Sequence, residues 1–165
     1  MNVKENDSIP ININKTNMSI NVNSLKNVLE SKGVKPSYQR LRILEYIIKK
    51  DIHPSVDTIY KALHKKIPTL SKTTVYNTLS LFEKKKIVNC VTIFDNELRY
   101  DFKKKPHAHF LCIECGEVYD IHLDTDTDTY TDRNSDLFNE DFIKGYKTTE
   151  THIHFKGICK KCLKK

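Results

Sequence analysis

The chain has 165 residues, 38% hydrophobic and 30% charged, with a formal net charge of +7. That length accommodates one domain or two small ones, with a buried core under an unusually charged surface. No apolar run approaches the roughly 18 residues of a membrane span and nothing near Met1 looks like a secretion signal, so a soluble, cytoplasmic protein is expected, its basic excess suited to a polyanion.

The charge is divided along the chain. Residues 1–105 hold 20 basic and 10 acidic side chains, whereas residues 106–165 hold 8 and 11. One half suits phosphate and the other does not. The five cysteines divide likewise: Cys90 stands alone in the basic half, and four lie in the acidic half as two pairs. In a cytosolic chain such pairs point to metal before disulfide.

Residues 1–23 contain seven Asn with no sustained period and read as a disordered or loosely docked tail, or as an arm toward a DNA backbone. Four helices are then expected. Asn23 or Ser24 caps the first, which carries Leu25, Val28 and Leu29 and stops at Gly33. Pro36 and Ser37 open the second, with Leu41, Leu44, Ile47 and Ile48 on one face. Ser55 caps the third, with Ile59, Ala62 and Leu63, ending before Pro68. Ser71 caps the fourth, Lys72 to about Lys86, burying Val75, Leu79 and Phe82. A hairpin follows: Ile87 to Phe94, a turn at Asp95-Asn96, and Leu98 to Phe102. Helices and then a hairpin spell a winged helix-turn-helix.

The acidic half reads as α/β. Strands are expected at His109 to Cys112, Glu117 to His122 and Thr149 to Ile158, with a helix from about Ser135 to Ile143. The run Asp124 to Asp132 imitates the start of a calcium loop, but it places Thr129 where Gly is needed and Ser135 where Glu is needed. It reads as a solvated loop.

Cys112-x2-Cys115 and Cys159-x2-Cys162 have the spacing by which tight turns donate paired thiolates to a structural zinc, a staple that a domain of about 60 residues needs. A thiol redox pair is the other reading, without a thioredoxin-like strand-to-helix setting. The motifs of a zinc deaminase are absent. After that site is filled, His53, Asp101, His107, His109 and Asp120 remain. His107 and His109, two apart, share one face of a strand. Taken singly, each histidine reads first as an ordinary surface or capping residue rather than a ligand. Together, three imidazoles and two carboxylates without a thiolate would suit Fe(II) or Mn(II).

The fourth helix exposes Lys72, Thr73, Tyr76 and Asn77, joined by Thr74, side-chain types that meet phosphates and base edges in a major groove. Residues 24–90 carry 14 Lys/Arg against five acidic groups, which would steer this part to DNA. Tyr38, Gln39 and Arg40 are candidates for backbone contacts. Lys84-Lys85-Lys86 reads as a solvated helix end and Lys103-Lys104-Lys105 as a linker. Cys90 reads as a core thiol of the wing, and His152 and His154 as strand residues.

Pro36-x2-Gln39-Arg40, His53-Pro54, Ile59-Tyr60, Thr74-Val75-Tyr76-Asn77-Thr78-Leu79, Arg99-Tyr100-Asp101, His107-x-His109 and the two cysteine pairs occur in this order along one chain. This set resembles the Fur (ferric uptake regulator) superfamily of bacterial metal-dependent repressors over about residues 24–165. It is most similar to the peroxide-sensing PerR branch, which Asp101, Asp120 and Asn77 match. A further metal site of some relatives uses a His-His-Asp-His-like run, and Pro106 and Ala108 interrupt it here.

The resemblance implies an α+β fold. A winged-helix DNA-binding domain at 24–102 and a hinge at 103–106 would precede a dimerisation and metal-binding domain at 107–165. It further implies Zn(II) on the four cysteines and a regulatory Fe(II) or Mn(II) on His53, Asp101, His107, His109 and Asp120. His53 and His107 would be the residues oxidised by hydrogen peroxide. The partners implied are a second copy of the chain and palindromic double-stranded operator DNA, with peroxide as signal and no catalytic turnover. A reversible metal-responsive repressor of the same fold is the nearest alternative. A zinc enzyme or zinc-stabilised interaction module is a more distant one.

Overall fold

Each of the four helices in the first half starts where a side chain can accept a backbone N–H that the helix itself leaves unpaired. In the computed structural model, which describes residues 21–50, 52–93, 97–102, 107–122, 145–146 and 151–165, these are α1 (Val22–Ser31), α2 (Tyr38–Lys50), α3 (Val56–His64) and α4 (Lys72–Lys84). Asn21 caps α1 through Asn23 N at 2.9 Å. Ser37 receives Arg40 N at 3.3 Å, Ser55 receives Thr58 N at 3.2 Å and Ser71 receives Thr74 N at 3.0 Å. The expected start of α1 at Asn23 or Ser24 is therefore corrected to Asn21, because an earlier Asx side chain in extended backbone captures the same donors.

Two helices end in one motif with different residues. At α1, Gly33 has φ 68°, with Val34 N bonded to Leu29 O at 2.8 Å and Gly33 N to Glu30 O at 2.9 Å. At α4, Ile87 N meets Phe82 O and Lys86 N meets Glu83 O, both at 2.8 Å, and Lys86 takes the left-handed position with φ 53°.

The helices pack around Leu25, Leu29, Ile43, Leu44, Ile59, Val75, Leu79 and Phe82, all essentially inaccessible. On α2 the buried stripe is Ile43, Leu44 and Ile47, with Leu41 and Ile48 only at its margins. The helix turns its 43/44/47 side to the core, one position away from the expected centre. Ala62 is exposed rather than inward. The wing is a short antiparallel pair, β1 (Asn89–Val91) and β2 (Arg99–Asp101), with Cys90 opposite Tyr100.

The chain divides into two compact units at Phe102 and Lys103. In the second, three strands form one sheet in the order β4-β3-β5. β3 (Ala108–Cys112) runs antiparallel to β4 (Val118–Ile121) and parallel to β5 (His154–Gly157). A short 3-10 turn, η1 (Cys162–Lys164), follows β5. This is an α+β chain with an N-terminal winged helix-turn-helix. Its strands are shorter than expected, β5 most of all. The expected helix at 135–143, the Asp124 to Asp132 run, the turn at Asp95-Asn96, the Lys103 to Lys105 linker and residues 1–20 of the tail lie outside the described residues. Among the described residues no helix is long and apolar enough to cross a membrane.

Candidate metal centres and recognition helix

The four paired cysteines converge at one end of the second unit. Cys112 ends β3, and Gly116, at φ 70°, turns the chain so that Gly116 N bonds Cys112 O at 2.9 Å and Cys115 folds back. β5 runs beside β3 with Gly157 opposite Cys112, which delivers Cys159 to the same end. All four sulfurs lie within 4.8 Å of one another, and Cys115 Sγ is 3.9 Å from Cys159 Sγ. Zn–S bonds of about 2.3 Å at tetrahedral angles put sulfurs about 3.8 Å apart, so that edge already has the spacing of a zinc knuckle. The Cys159 thiol is drawn down to about 6, first by the Tyr119 hydroxyl and then by the Cys162 backbone. Cys162 is pushed up to about 12, first by the Cys159 sulfur. Crowded thiols ionise together only around a cation.

In the first unit the bridge between Ser55 and Arg99 and the bond from Tyr100 N to Pro54 O at 3.1 Å zip the loop before α3 onto β2. That antiparallel register brings His53 beside Asp101. Both are buried, at 3% and 5% exposure, with donor atoms within 4.8 Å. His53 also holds φ 47°, a left-handed conformation that costs a non-glycine residue about 1 kcal/mol or more. Strain of that kind at a buried polar residue is typical of a functional position.

In the second unit His107 and His109 lie on one side of the start of β3, with Nε2 atoms 3.1 Å apart. The register pairs His109 with Asp120, and Asp120 Oδ1 is 3.8 Å from Nε2 of each histidine. No cysteine belongs to this set; the thiols gather at the other end of β3. His154 pairs with His109 across the sheet, its ring centroid 5.7 Å from that of His109 and 5.9 Å from that of His152. Its imidazole is pushed below the usual histidine range, first by burial and then by His152 and Lys156. Sequence spacing marked His152 and His154 as strand residues and missed the contact with His109, which depends on the pairing partner of β5.

On α4, Lys72, Thr73, Tyr76 and Asn77 are exposed while Val75, Thr78 and Leu79 are buried. The Thr74 hydroxyl is 2.8 Å from that of Ser71 and belongs to the cap. Lys72 Nζ lies 2.8 Å from Asp57 Oδ1 and 5.9 Å from the centre of the Tyr60 ring. Asp57 is held below the usual carboxylate range, first by its hydrogen bond from Lys72. At the start of α2, Tyr38 is 63% exposed, Gln39 is half-buried, and Arg40 donates to Lys35 O at 2.7 Å.

The family model described as the ferric uptake regulator family matches residues 31–137. The peroxide operon regulator of Bacillus subtilis (strain 168) is 35% identical over 137 residues, covering 83% of this chain and 90% of that protein. The peroxide-responsive repressor PerR of Staphylococcus epidermidis is 33% identical over 134 residues, covering 81% and 85%. The solved structure of the Helicobacter pylori ferric uptake regulator Fur shares the fold with a TM-score of 0.65 at 20% identity, covering 87% of this chain and 94% of that one.

Proposed function

The chain belongs to the ferric uptake regulator family, and on that premise we propose that it is a peroxide-responsive, metal-dependent transcriptional repressor. It would act in the cytoplasm as a homodimer on palindromic operator DNA, without enzymatic turnover. The observation that supports this reading most directly is the pair of thiol-free donor sets. Buried His53 faces Asp101, and His107, His109 and Asp120 converge at the start of β3. Such donors fit Fe(II) or Mn(II), whereas the four-cysteine knuckle fits Zn(II).

In this reading one regulatory ion takes donors from both units and fixes the orientation in which each winged helix presents α4 to a major groove. Linkage then makes metal and operator strengthen each other's binding equally, typically by about 1–3 kcal/mol. His53, Asp101, His107, His109 and Asp120 would hold the ion, and Fe(II) there would supply reduction of hydrogen peroxide beside the imidazoles, chemistry that Mn(II) would not supply. His53 and His107 would be the rings that take up one oxygen each from peroxide, the other peroxide oxygen leaving as water. An oxidised ring is a poorer nitrogen donor, so its half of the site loosens and the operator is released.

Operator affinity measured by fluorescence anisotropy at fixed ionic strength, with and without Mn(II), tests the coupling. The wild-type protein is expected to bind tighter with metal by roughly 5–150-fold, and His53→Ala to lose that gain. Metal-dependent binding that survives His53→Ala would contradict it. A reversible metal sensor would show the same gain and no response to peroxide with Fe(II).

A further inference from the structure

Across the second sheet, three neighbouring strands set a metal-type donor on one row. β3 is the central strand, and the register places His109 opposite Asp120 of β4 on one side and opposite His154 of β5 on the other. Residues directly opposite one another in a sheet point to the same face, so these three side chains share one. His107, two positions before His109, belongs to that face too. The bond from His109 N to Ile153 O at 2.9 Å fixes the register beside His154.

An imidazole centre lies about 1.1 Å beyond its donor nitrogen. Two rings on one ion, at bonds of about 2.1 Å, therefore have centres about 4.5 Å apart at a right angle and about 6.4 Å apart when opposed. The centres of His107 and His109 are 4.6 Å apart, and those of His109 and His154 are 5.7 Å apart. Both spacings suit imidazoles that meet at a common ion. The Nε2 atom of His154 is enclosed by protein and has no hydrogen-bond partner among the described residues. A buried ring nitrogen in that state is costly, and a cation that takes its lone pair removes the cost.

We propose that His154 is a further ligand of the regulatory ion, through Nε2, and that it biases the site toward Fe(II) over Mn(II). The inference rests on the proposed regulatory ion at His107, His109 and Asp120, to which it adds a donor from β5. Ligation through Nε2 places the ring proton on Nδ1, the neutral tautomer that a metal takes. The second unit alone then offers three imidazoles and one carboxylate. Imidazole suits iron and the later first-row ions, whereas oxygen donors suit manganese. An added nitrogen donor therefore raises the affinity for Fe(II) more than that for Mn(II). In the reading given above only the Fe(II) form responds to peroxide, so His154 sets how much of the protein is responsive.

The test uses full-length protein with zinc on the cysteines. Mn(II) and, without oxygen, Fe(II) are titrated into wild type, His154→Ala, His154→Asp and, as control, His152→Ala, whose side chain is exposed. Wild type that takes up neither ion beyond zinc overturns the regulatory site itself, and the inference with it. Where wild type binds, His154→Ala is expected to lose on the order of tenfold in Fe(II) affinity and less in Mn(II) affinity, with His152→Ala unchanged. His154→Asp, which returns an oxygen donor, is expected to recover Mn(II) binding and not Fe(II) binding. A residue that only packs against His109 would not show that split.

Wild type with Co(II) at this site and isotopically labelled histidine nitrogens needs no variant, which keeps the test decisive if His154→Ala fails to fold. The ring nitrogens of His154 are expected to shift far outside the diamagnetic histidine range, along with those of His107 and His109. His154 nitrogens that stay within that range while those of His109 move would overturn the role. So would a loss of affinity in His154→Ala no larger than that in His152→Ala.

Discussion

The Nε2 atoms of His107 and His109 stand 3.1 Å apart, closer than two imidazoles approach unless a proton or a cation lies between them. Asp120 Oδ1, 3.8 Å from both, adds negative charge to the same point. His109→Ala is therefore expected to lower Mn(II) affinity by on the order of a hundredfold, and Asp120→Asn by about tenfold, in titration calorimetry of zinc-loaded protein. Zinc content should stay unchanged in both, since the cysteines lie at the other end of β3. Unaltered Mn(II) affinity would remove these residues from the site.

Lys72 opens α4 but leans on Asp57 of α3 rather than extending outward. It has two possible duties, phosphate contact and helix placement, and salt dependence separates them. As a phosphate contact, Lys72→Ala reduces the slope of log affinity against log salt by about one and weakens binding evenly across operator sequences. Asp57→Asn releases the ammonium and removes a negative charge near the groove, so operator affinity should rise. An unchanged slope for Lys72→Ala would assign the lysine to placing α4 alone.

The two helix ends built on one motif invite a paired test. Lys86→Gly is expected to stabilise the chain by about 0.5–1 kcal/mol, because φ 53° strains a side-chain-bearing residue and not glycine. Gly33→Ala, at φ 68°, should destabilise by about 1 kcal/mol. Urea unfolding midpoints of the two zinc-loaded variants check both signs.

These two ends also show how far the sequence could be read. Gly33 announces its own left-handed stop, whereas Lys86 gives no local signal, and the expected α4 ran two residues too far. Ser55 and Ser71 were legible as caps because a cap is a local exchange between a hydroxyl and the next turn. Asn21 was missed because the Asn-rich stretch around it offers many equivalent side chains. The four cysteines were legible because spacing alone carries their chemistry. His53 and Asp101 were grouped by donor type and by family resemblance, but no local pattern showed how they meet, since that depends on the loop before α3 pairing with β2, some 45 residues onward. The contact of His154 with His109 was not legible either, because it follows from the pairing of β5 with β3.

Zinc removal should act unevenly. Zinc binding in small structural sites contributes about 10–16 kcal/mol of apparent free energy, more than the short strands β3, β4 and β5 can replace. A strong chelator, or Cys112→Ser, is expected to abolish amide exchange protection along β3 and β4 while α1 to α4 retain theirs. Uniform loss across both units, or none, would contradict a structural zinc confined to the second.

The central claim, that peroxide is read through histidine at the regulatory metal, is tested most directly by peptide mass mapping. The protein is loaded with Fe(II) without oxygen, exposed briefly to dilute hydrogen peroxide, and compared with an Mn(II)-loaded sample treated alike. One added oxygen on the peptides containing His53 or His107, in the iron sample alone, is the expected result. Unmodified histidines in protein shown to hold Fe(II) would contradict it and leave a repressor that senses metal reversibly.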